Sequence, residues 1–482
     1  MNNSRKAPRV CGSKVKTGCI TCKKRRIKCD EGRPICQRCT SAGRPCSYTA
    51  IPKSKSSPAL RVVVYRAPES RSSFLTSDEE RQSFDFFLHQ TRYRFPADFS
   101  DPVLQAAHSE EALTHAVISF GALQQVYEYS DDPFFISPLA QFAMRDYGRA
   151  LRYVRTRLGD GGRDLALVCC VLFACFECMR GCPRAAVVHI KSGLDILLRC
   201  VEGLEWNVVS RETMLSLFMR LDNQLVGLLG TSLPQTLKRD GERGPSILSR
   251  IDIECNGGDV ERSLDAVLNS IFHDRLNMAI SIENPSTVVL PLDQGRTLRY
   301  LKEWHGRLMK PTPSPGRSSQ PETSYSHGED LDLMQIWYII GQMYVAVKAN
   351  SPESVWDQFR TEFNTIVSLA ESYLSRMRQL SQKRAFSFDL GIVSPLYIVG
   401  VRCRDIQIRR RAICLLETCK RREILWDSTI TAMTARQVME FEESSAIGPQ
   451  KLRQRVKTVT AVLDDDNGVS VKFASSFRIS LA

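Results

Sequence analysis

Beyond residue 75 the chain is written in helical period. Thr76-Ser77-Asp78-Glu79 reads as a capping box ahead of the apolar positions Phe84, Phe87 and Leu88. Ser137 and Pro138 supply an N-cap and a first-turn proline to the stripe Leu139, Phe142, Ala143, Tyr147, Ala150, Leu151 and Val154. Residues 165–179 are apolar on nearly every face, which predicts a helix buried at the centre of a domain. Helical spacing continues over 185–198, 211–229, 264–282, 330–347, 355–380 and 406–416. Two stretches break it and read as loops: 238–258, and 309–328, which is rich in proline and serine. Near the C-terminus, Val462 and Val469 flank Asn467-Gly468, a hairpin signal.

The N-terminal part follows another logic. Residues 49–75 are rich in Pro, Ser, Lys and Arg and read as a flexible linker. The linker has no a/d heptad, and Val62-Val63-Val64 is β-like. Residues 19–48 carry almost no large apolar side chains besides Ile20, Ile27, Ile35 and Tyr48. Such a segment cannot fold on a hydrophobic core. The predicted organisation is a basic flexible arm (1–18), a small module stabilised by something other than an apolar core (19–48), the linker (49–75), a large all-α helical domain (76–445) and a tail with a β-hairpin (446–482).

What replaces the missing core is sulfur. Cys19, Cys22, Cys29, Cys36, Cys39 and Cys46 follow C-x2-C-x6-C-x6-C-x2-C-x6-C, an eleven-residue unit used twice. A C-x-x-C turn can grip one zinc ion. Six thiolates are too few for two separate four-sulfur sites, and sharing two of them as bridges gives each of two zincs four sulfurs. No nearby histidine can complete the count, since the first in the chain is His89. Structural zinc contributes roughly 10–16 kcal/mol of apparent binding energy in small zinc peptides, so the metal-free segment is expected to be disordered. Cys11 lies outside the spacing and reads as a free thiol in the arm.

Charge sharpens the picture. Residues 1–60 hold 15 lysines and arginines against Asp30 and Glu31, a surplus equal to the whole chain's net charge of +13. The rest is therefore neutral, as for a polyanion-binding head on an ordinary protein body. Between Cys22 and Cys29, five of six residues are basic: Lys23, Lys24, Arg25, Arg26 and Lys28. Between Cys39 and Cys46 only Arg44 is. The first half therefore faces the nucleic acid. The run 23–28 also suits a nuclear import signal. Residues 1–15 have no apolar secretory core, and the longest apolar run, 165–176, is too short to span a bilayer.

The residues 19–46 closely resemble the fungal six-cysteine binuclear zinc cluster, the DNA-binding domain of galactose-regulator-type transcription factors. The resemblance implies two zinc ions, with Cys19 and Cys36 bridging. Cys19, Cys22, Cys29 and Cys36 would hold one ion, and Cys36, Cys39, Cys46 and Cys19 the other. It implies that Pro34 is the family's loop proline, often preceded by a cis bond. It also implies that the first helix enters the major groove of double-stranded DNA and reads a CCG triplet through Arg25 and Arg26. The family commonly has lysine at the second of these positions. Lys23, Lys24, Lys28, Arg38 and Arg44 are expected on phosphates, which position the module without reading bases. More loosely, residues 80–445 resemble the fungal-specific regulatory domain. The best-matching pieces are His189-Ile190-Lys191-Ser192-Gly193-Leu194, Asp389-Leu390-Gly391-Ile392, Arg409-Arg410-Arg411-Ala412 and Leu425-Trp426. That resemblance implies regulation through the transcription machinery or a small-molecule effector.

The expected function is that of a nuclear, sequence-specific transcription factor for RNA polymerase II genes. Without a heptad in the linker, the expected alternatives are binding as a monomer or forming a homodimer through the helical body. RING- and LIM-type scaffolds need eight ligands and usually a histidine, which this spacing lacks. Two rivals stay open: an enzyme or metabolite-binding protein with an accessory zinc head, and a scaffold acting through the body alone. The chain has no Walker loop, G-x-S-x-G, H-E-x-x-H or G-x-G-x-x-G, so it is not read as an enzyme. Cys175, Cys178 and Cys182 at i, i+3 and i+7 read as core packing, as do Cys169 and Cys170. His189 reads as a core or boundary histidine. Arg404 with the run 409–411, and the run 420–422, read as solvated faces or helix C-termini.

Overall fold

The computed structural model describes residues 17–48, 75–129, 137–157, 162–200, 205–229, 260–283, 293–309, 327–347, 351–380, 384–388, 391–444, 456, 459–463, 469–473 and 478–481. Cys11, nearly all of the expected arm and linker, most of the two expected loops and the expected hairpin turn lie outside these residues. The chain forms two compact units, Met1–Ser72 and Ser73–Ala482.

The first unit contains two very short helices, α1 (Ile20–Lys24) and α2 (Gln37–Thr40). Among its described residues the buried ones besides Gly18 are cysteines: Cys19, Cys22, Cys29, Cys36 and Cys39, with Cys46 and Tyr48 packed against them. The sulfurs thus occupy the place of a hydrophobic core.

The second unit is built mainly of helices. In chain order they are α3 (Asp78–His89), α4 (Ala97–Ala106), α5 (Glu111–Tyr129), α6 (Pro138–Arg157), α7 (Arg163–Met179), α8 (Pro183–Cys200) and α9 (Arg211–Leu229). Then come α10 (Val260–Glu283), α11 (Gln294–Leu308), α12 (His327–Ala346), α13 (Arg360–Leu380), α14 (Val393–Arg402), α15 (Ile406–Cys419) and α16 (Ser428–Ser444). Two three-stranded sheets complete it. In one, β1 (Ala385–Ser387) runs parallel to β2 (Arg421–Glu423), which pairs antiparallel with β3 (Trp426–Asp427). In the other, β4 (Val459–Leu463), β5 (Val469–Phe473) and β6 (Arg478–Leu481) form an antiparallel meander.

Local chemistry accounts for several elements. The capping box of α3 sits one residue later than the sequence reading placed it. Ser77 is the N-cap, and Glu80, rather than Glu79, reaches back. Glu80 Oε2 accepts from the backbone N–H groups of Thr76 and Ser77, and its other oxygen faces Arg149. Every residue of α7 from Asp164 to Met179 is buried, as its all-round apolar sequence requires. Tyr147 stacks on Phe176 at 4.4 Å, and its hydroxyl meets Nε2 of His189 at 2.8 Å. His189 is therefore a satisfied boundary residue, and burial lowers its pKa to about 4. Cys182 lies beyond the end of α7, so it does not continue the face of Cys175 and Cys178. The helix expected over 355–380 begins with a 3-10 turn, Glu353–Phe359, before α13.

Two large hydrophobic clusters lie side by side. One joins α3 to α9 with Phe386 and Phe388; the other joins α10 to α15 around Trp304, Trp337 and Trp356. A polar seam runs between α9 and α10. Arg220 Nε donates to Asp265 at 2.5 Å, Asn269 donates to Asp222 and Asn223 at 2.9 Å each, and His273 meets Asp222.

The arginine runs differ from their expected role. Arg409 is buried, not solvated; it donates to Gly400 O at 2.5 Å and pairs with Glu442 at 2.7 Å. Arg421 is buried as well, while Arg410 stays exposed. Arg421 pairs with Glu423 at 3.1 Å and lies over the Tyr373 ring. The Glu423 carboxylate also accepts from the N–H groups of Ile392 (2.9 Å) and Val393 (2.8 Å), capping α14. This close approach requires glycine at 391, where a Cβ would lie 1.9 Å from the Glu423 carboxyl carbon.

Glu423→Gln is expected to destabilise the body by about 3 kcal/mol, because it leaves the buried Arg421 charge uncompensated. Gly391→Ala is expected to lower the denaturation midpoint too, through the clash. Glu417→Gln, at the exposed pair with Arg436, should change stability by less than about 1 kcal/mol. Urea denaturation of the three variants checks the order.

Candidate metal centre and nucleic-acid interface

The six sulfurs converge. Cys19 and Cys36 Sγ lie 3.7 Å apart. Cys39 Sγ is 3.6 Å from Cys19, and Cys22 Sγ is 3.7 Å from Cys36. A tetrahedral zinc with bonds of about 2.3 Å puts its sulfurs about 3.8 Å apart. The spacings therefore fit zinc, and the donor set is the soft, all-thiolate kind that zinc favours. Cys29 contacts the thiols of Cys22 and Cys36, and Cys46 contacts that of Cys39. Cys22 and Cys39 also approach to 3.9 Å, closer than terminal ligands of two different ions need to be. Burial pushes the Cys19 thiol up, but the Cys22 N–H and neighbouring thiols outweigh it and bring the pKa down to about 6.

The duplication visible in the sequence is equally plain in the backbone. The Cys19 N–H points to Cys29 Sγ and the Cys36 N–H to Cys46 Sγ, each at 3.4 Å. Both helices end in a Schellman motif. Ile27 N–H donates to Cys22 O and Arg26 N–H to Lys23 O; in the second half Arg44 N–H donates to Cys39 O and Gly43 N–H to Thr40 O. The motif requires a left-handed residue, here Arg26 (φ 54°) and its counterpart Gly43 (φ 56°). The second half fills that position with the residue that adopts it freely. The first half places an arginine there. Arg33–Pro34 is cis.

All five basic residues between Cys22 and Cys29 are exposed, as are Arg38 and Arg44. The short α1 keeps Lys23 and Lys24 in its last turn, with Arg25 as C-cap and Arg26 just beyond. The structure thus gathers a cationic edge on the first half. Sequence reasoning missed the polar groups that join the halves. Asp30 accepts from the N–H groups of Gln37 and Arg38, Thr21 donates to Pro45 O at 2.6 Å, and Ile20 N–H donates to Ser47 O at 2.8 Å. An acidic residue one place after Cys29 was the one available signal. Arg33, also passed over, lies over the Tyr48 ring, whose hydroxyl donates to Gly32 O.

In the body, Cys169, Cys170, Cys175, Cys178 and Cys182 are buried, and burial raises each thiol's pKa. Groups able to hold a metal occur only around the N-terminal cysteines among the described residues. No helix among these residues is long and apolar enough to cross a membrane.

Residues 17–56 match the model of the fungal Zn(2)-Cys(6) binuclear cluster domain, and residues 83–222 match that of the fungal specific transcription factor domain. The chain carries the two domains of zinc-cluster transcription regulators. It is similar, at 24% identity over 89% of this chain and 88% of the other, to the aspercryptin biosynthesis cluster-specific transcription regulator atnN of Emericella nidulans. It is 33% identical, over 32% of this chain and 45% of the other, to the Zn(2)-C6 fungal-type transcription factor afumD of Aspergillus fumigatus. It is 54% identical, over 8% of this chain and 4% of the other, to sterol uptake control protein 2 of Saccharomyces cerevisiae. No solved structure matches. As a zinc-cluster regulator the protein binds zinc and DNA and regulates transcription; its family is one of regulators, not enzymes.

In this zinc-cluster regulator, Arg26→Gly is expected to stabilise the metal-bound module by up to about 1 kcal/mol, by removing a side chain from a left-handed position. Gly43→Arg should destabilise it by a similar amount. Titration of zinc release against a chelator checks both.

Proposed function

We propose that this regulator acts in the nucleus on RNA polymerase II genes. It reads CCG/CGG-type triplets in the major groove through the C-terminal end of α1. Two zinc ions organise the reading head. Cys19, Cys22, Cys29 and Cys36 hold one, Cys19, Cys36, Cys39 and Cys46 the other, with Cys19 and Cys36 shared. The ions supply structural cross-linking; recognition belongs to the side chains. Arg25 and Arg26 face base edges, where a guanidinium pairs bidentately with guanine. Lys23, Lys24, Lys28, Arg38 and Arg44 hold phosphates and set the register. Pro34 shapes the turn between the halves.

The observation that carries this reading is the asymmetry of a symmetric scaffold. Two halves share one backbone motif, yet only one bears arginine at its left-handed turn. A residue kept in an unfavourable backbone region is a pointer to function when its neighbours share one chemistry. Here every neighbour but Ile27 is cationic.

The helical body is proposed as the regulatory part, responding to a small-molecule effector or to the transcription machinery. It is also the proposed surface for homodimer formation. The relative aligned along most of the chain is named for a biosynthesis cluster. That supports a narrower reading, in which this protein controls a set of biosynthetic genes.

Elemental analysis of the purified protein should give two zincs per chain. Arg26→Ala should relax base preference at one triplet position, a loss of about 1–3 kcal/mol of discrimination. Lys23→Ala should weaken binding evenly and reduce the salt slope by about 1. Equal loss on every duplex for Arg26→Ala would remove it from the reading set. A genome-wide occupancy map with a selected-site motif tests the triplet and the gene set together.

A further inference from the structure

Residues 1–60 contain just two acidic side chains, and both lie directly after Cys29. A carboxylate beside a phosphate-binding edge works against attraction to DNA. Asp30 has a geometric role that offsets this. Its Oδ2 accepts from Gln37 N–H at 2.9 Å and its Oδ1 from Arg38 N–H at 3.3 Å. Gln37 and Arg38 open α2, where backbone donors have no partner within the helix. Cys36, the N-cap of α2, uses no side-chain bond of its own there.

The equivalent junction is made differently. Ser47, the residue after Cys46, accepts from Ile20 N–H at the start of α1 through its backbone carbonyl. Each half therefore caps the helix of the other with the residue after its third cysteine. One latch is backbone and indifferent to sequence; the other is the Asp30 side chain.

We propose that Asp30 is a positioning residue for DNA recognition, fixing α2 and its cysteines against the end of the basic half so that α1 is presented in a single orientation. This rests on the reading of the first half as the DNA-facing one. The electrostatic and geometric roles of Asp30 predict opposite signs, which makes them separable. Removing a bystander acid tightens DNA binding; removing a latch loosens recognition.

Asp30→Ala and Asp30→Asn are made in the full-length protein; asparagine keeps a capping oxygen without the charge. Zinc content, the chelator concentration that strips half the zinc, and binding to the selected and to a random duplex are measured across salt concentration. Both variants should keep two zincs. The alanine variant should release zinc at roughly fivefold lower chelator concentration and lose selectivity by a similar factor. Its binding to random DNA should rise at low salt. The asparagine variant should return zinc retention and selectivity to within about twofold of the parent. Alanine and asparagine variants that behave alike, both simply tightening DNA binding, would show a bystander charge and overturn the proposal. So would a drop in zinc count in both, which would make Asp30 a ligand. If the parent protein itself shows no preference among duplexes, the DNA-reading assignment fails, and the chelator arm still decides whether Asp30 holds α2.

Discussion

The reading head depends on sulfur atoms packed where a larger domain would place leucine and phenylalanine. Five of its six spaced cysteines are buried, and among the described residues no large aliphatic side chain shares their interior. Four thiols within 3.6–3.9 Å of their neighbours have little reason to assemble except around a metal. The consequence for function is direct. With the interior given over to sulfur, the side chains of residues 23–28 all face outward. The stretch 23–28 can then be almost wholly cationic without any conflict with folding.

The repeat explains how so short a segment forms a defined surface. The same N–H to sulfur contact, the same Schellman turn and the same cross-capping register occur in both halves. Identical backbones with different side chains divide the labour. One half carries charge and a left-handed arginine. The other takes glycine there.

The body uses a different economy. Its two apolar clusters meet at a seam of buried ion pairs and amides along α9 and α10, and its C-terminal part is tied by Arg409, Arg421, Glu423 and Glu442. Buried charges of this kind add less net stability than apolar packing, but each is intolerant of losing its partner.

The cysteine spacing, the charge surplus before residue 60 and the helical period after 75 were all legible in the chain, because each is a property of neighbours in sequence. Metal-ligand spacing is local, helical amphipathicity is local, and net charge needs no fold. The all-round apolar run at 165–179 announced a buried helix for the same reason. What only the tertiary structure decided was pairing over distance. The arginine run 409–411 looks solvated until Glu442 of α16 reaches Arg409. Gly391 is unremarkable until the Glu423 carboxylate occupies the space a methyl would need. Asp30 looks like a stray acid until the start of α2 arrives beneath it. In each case the partner lies several to dozens of residues away, and the sign of a buried charge's contribution is set by that partner, which periodicity cannot supply.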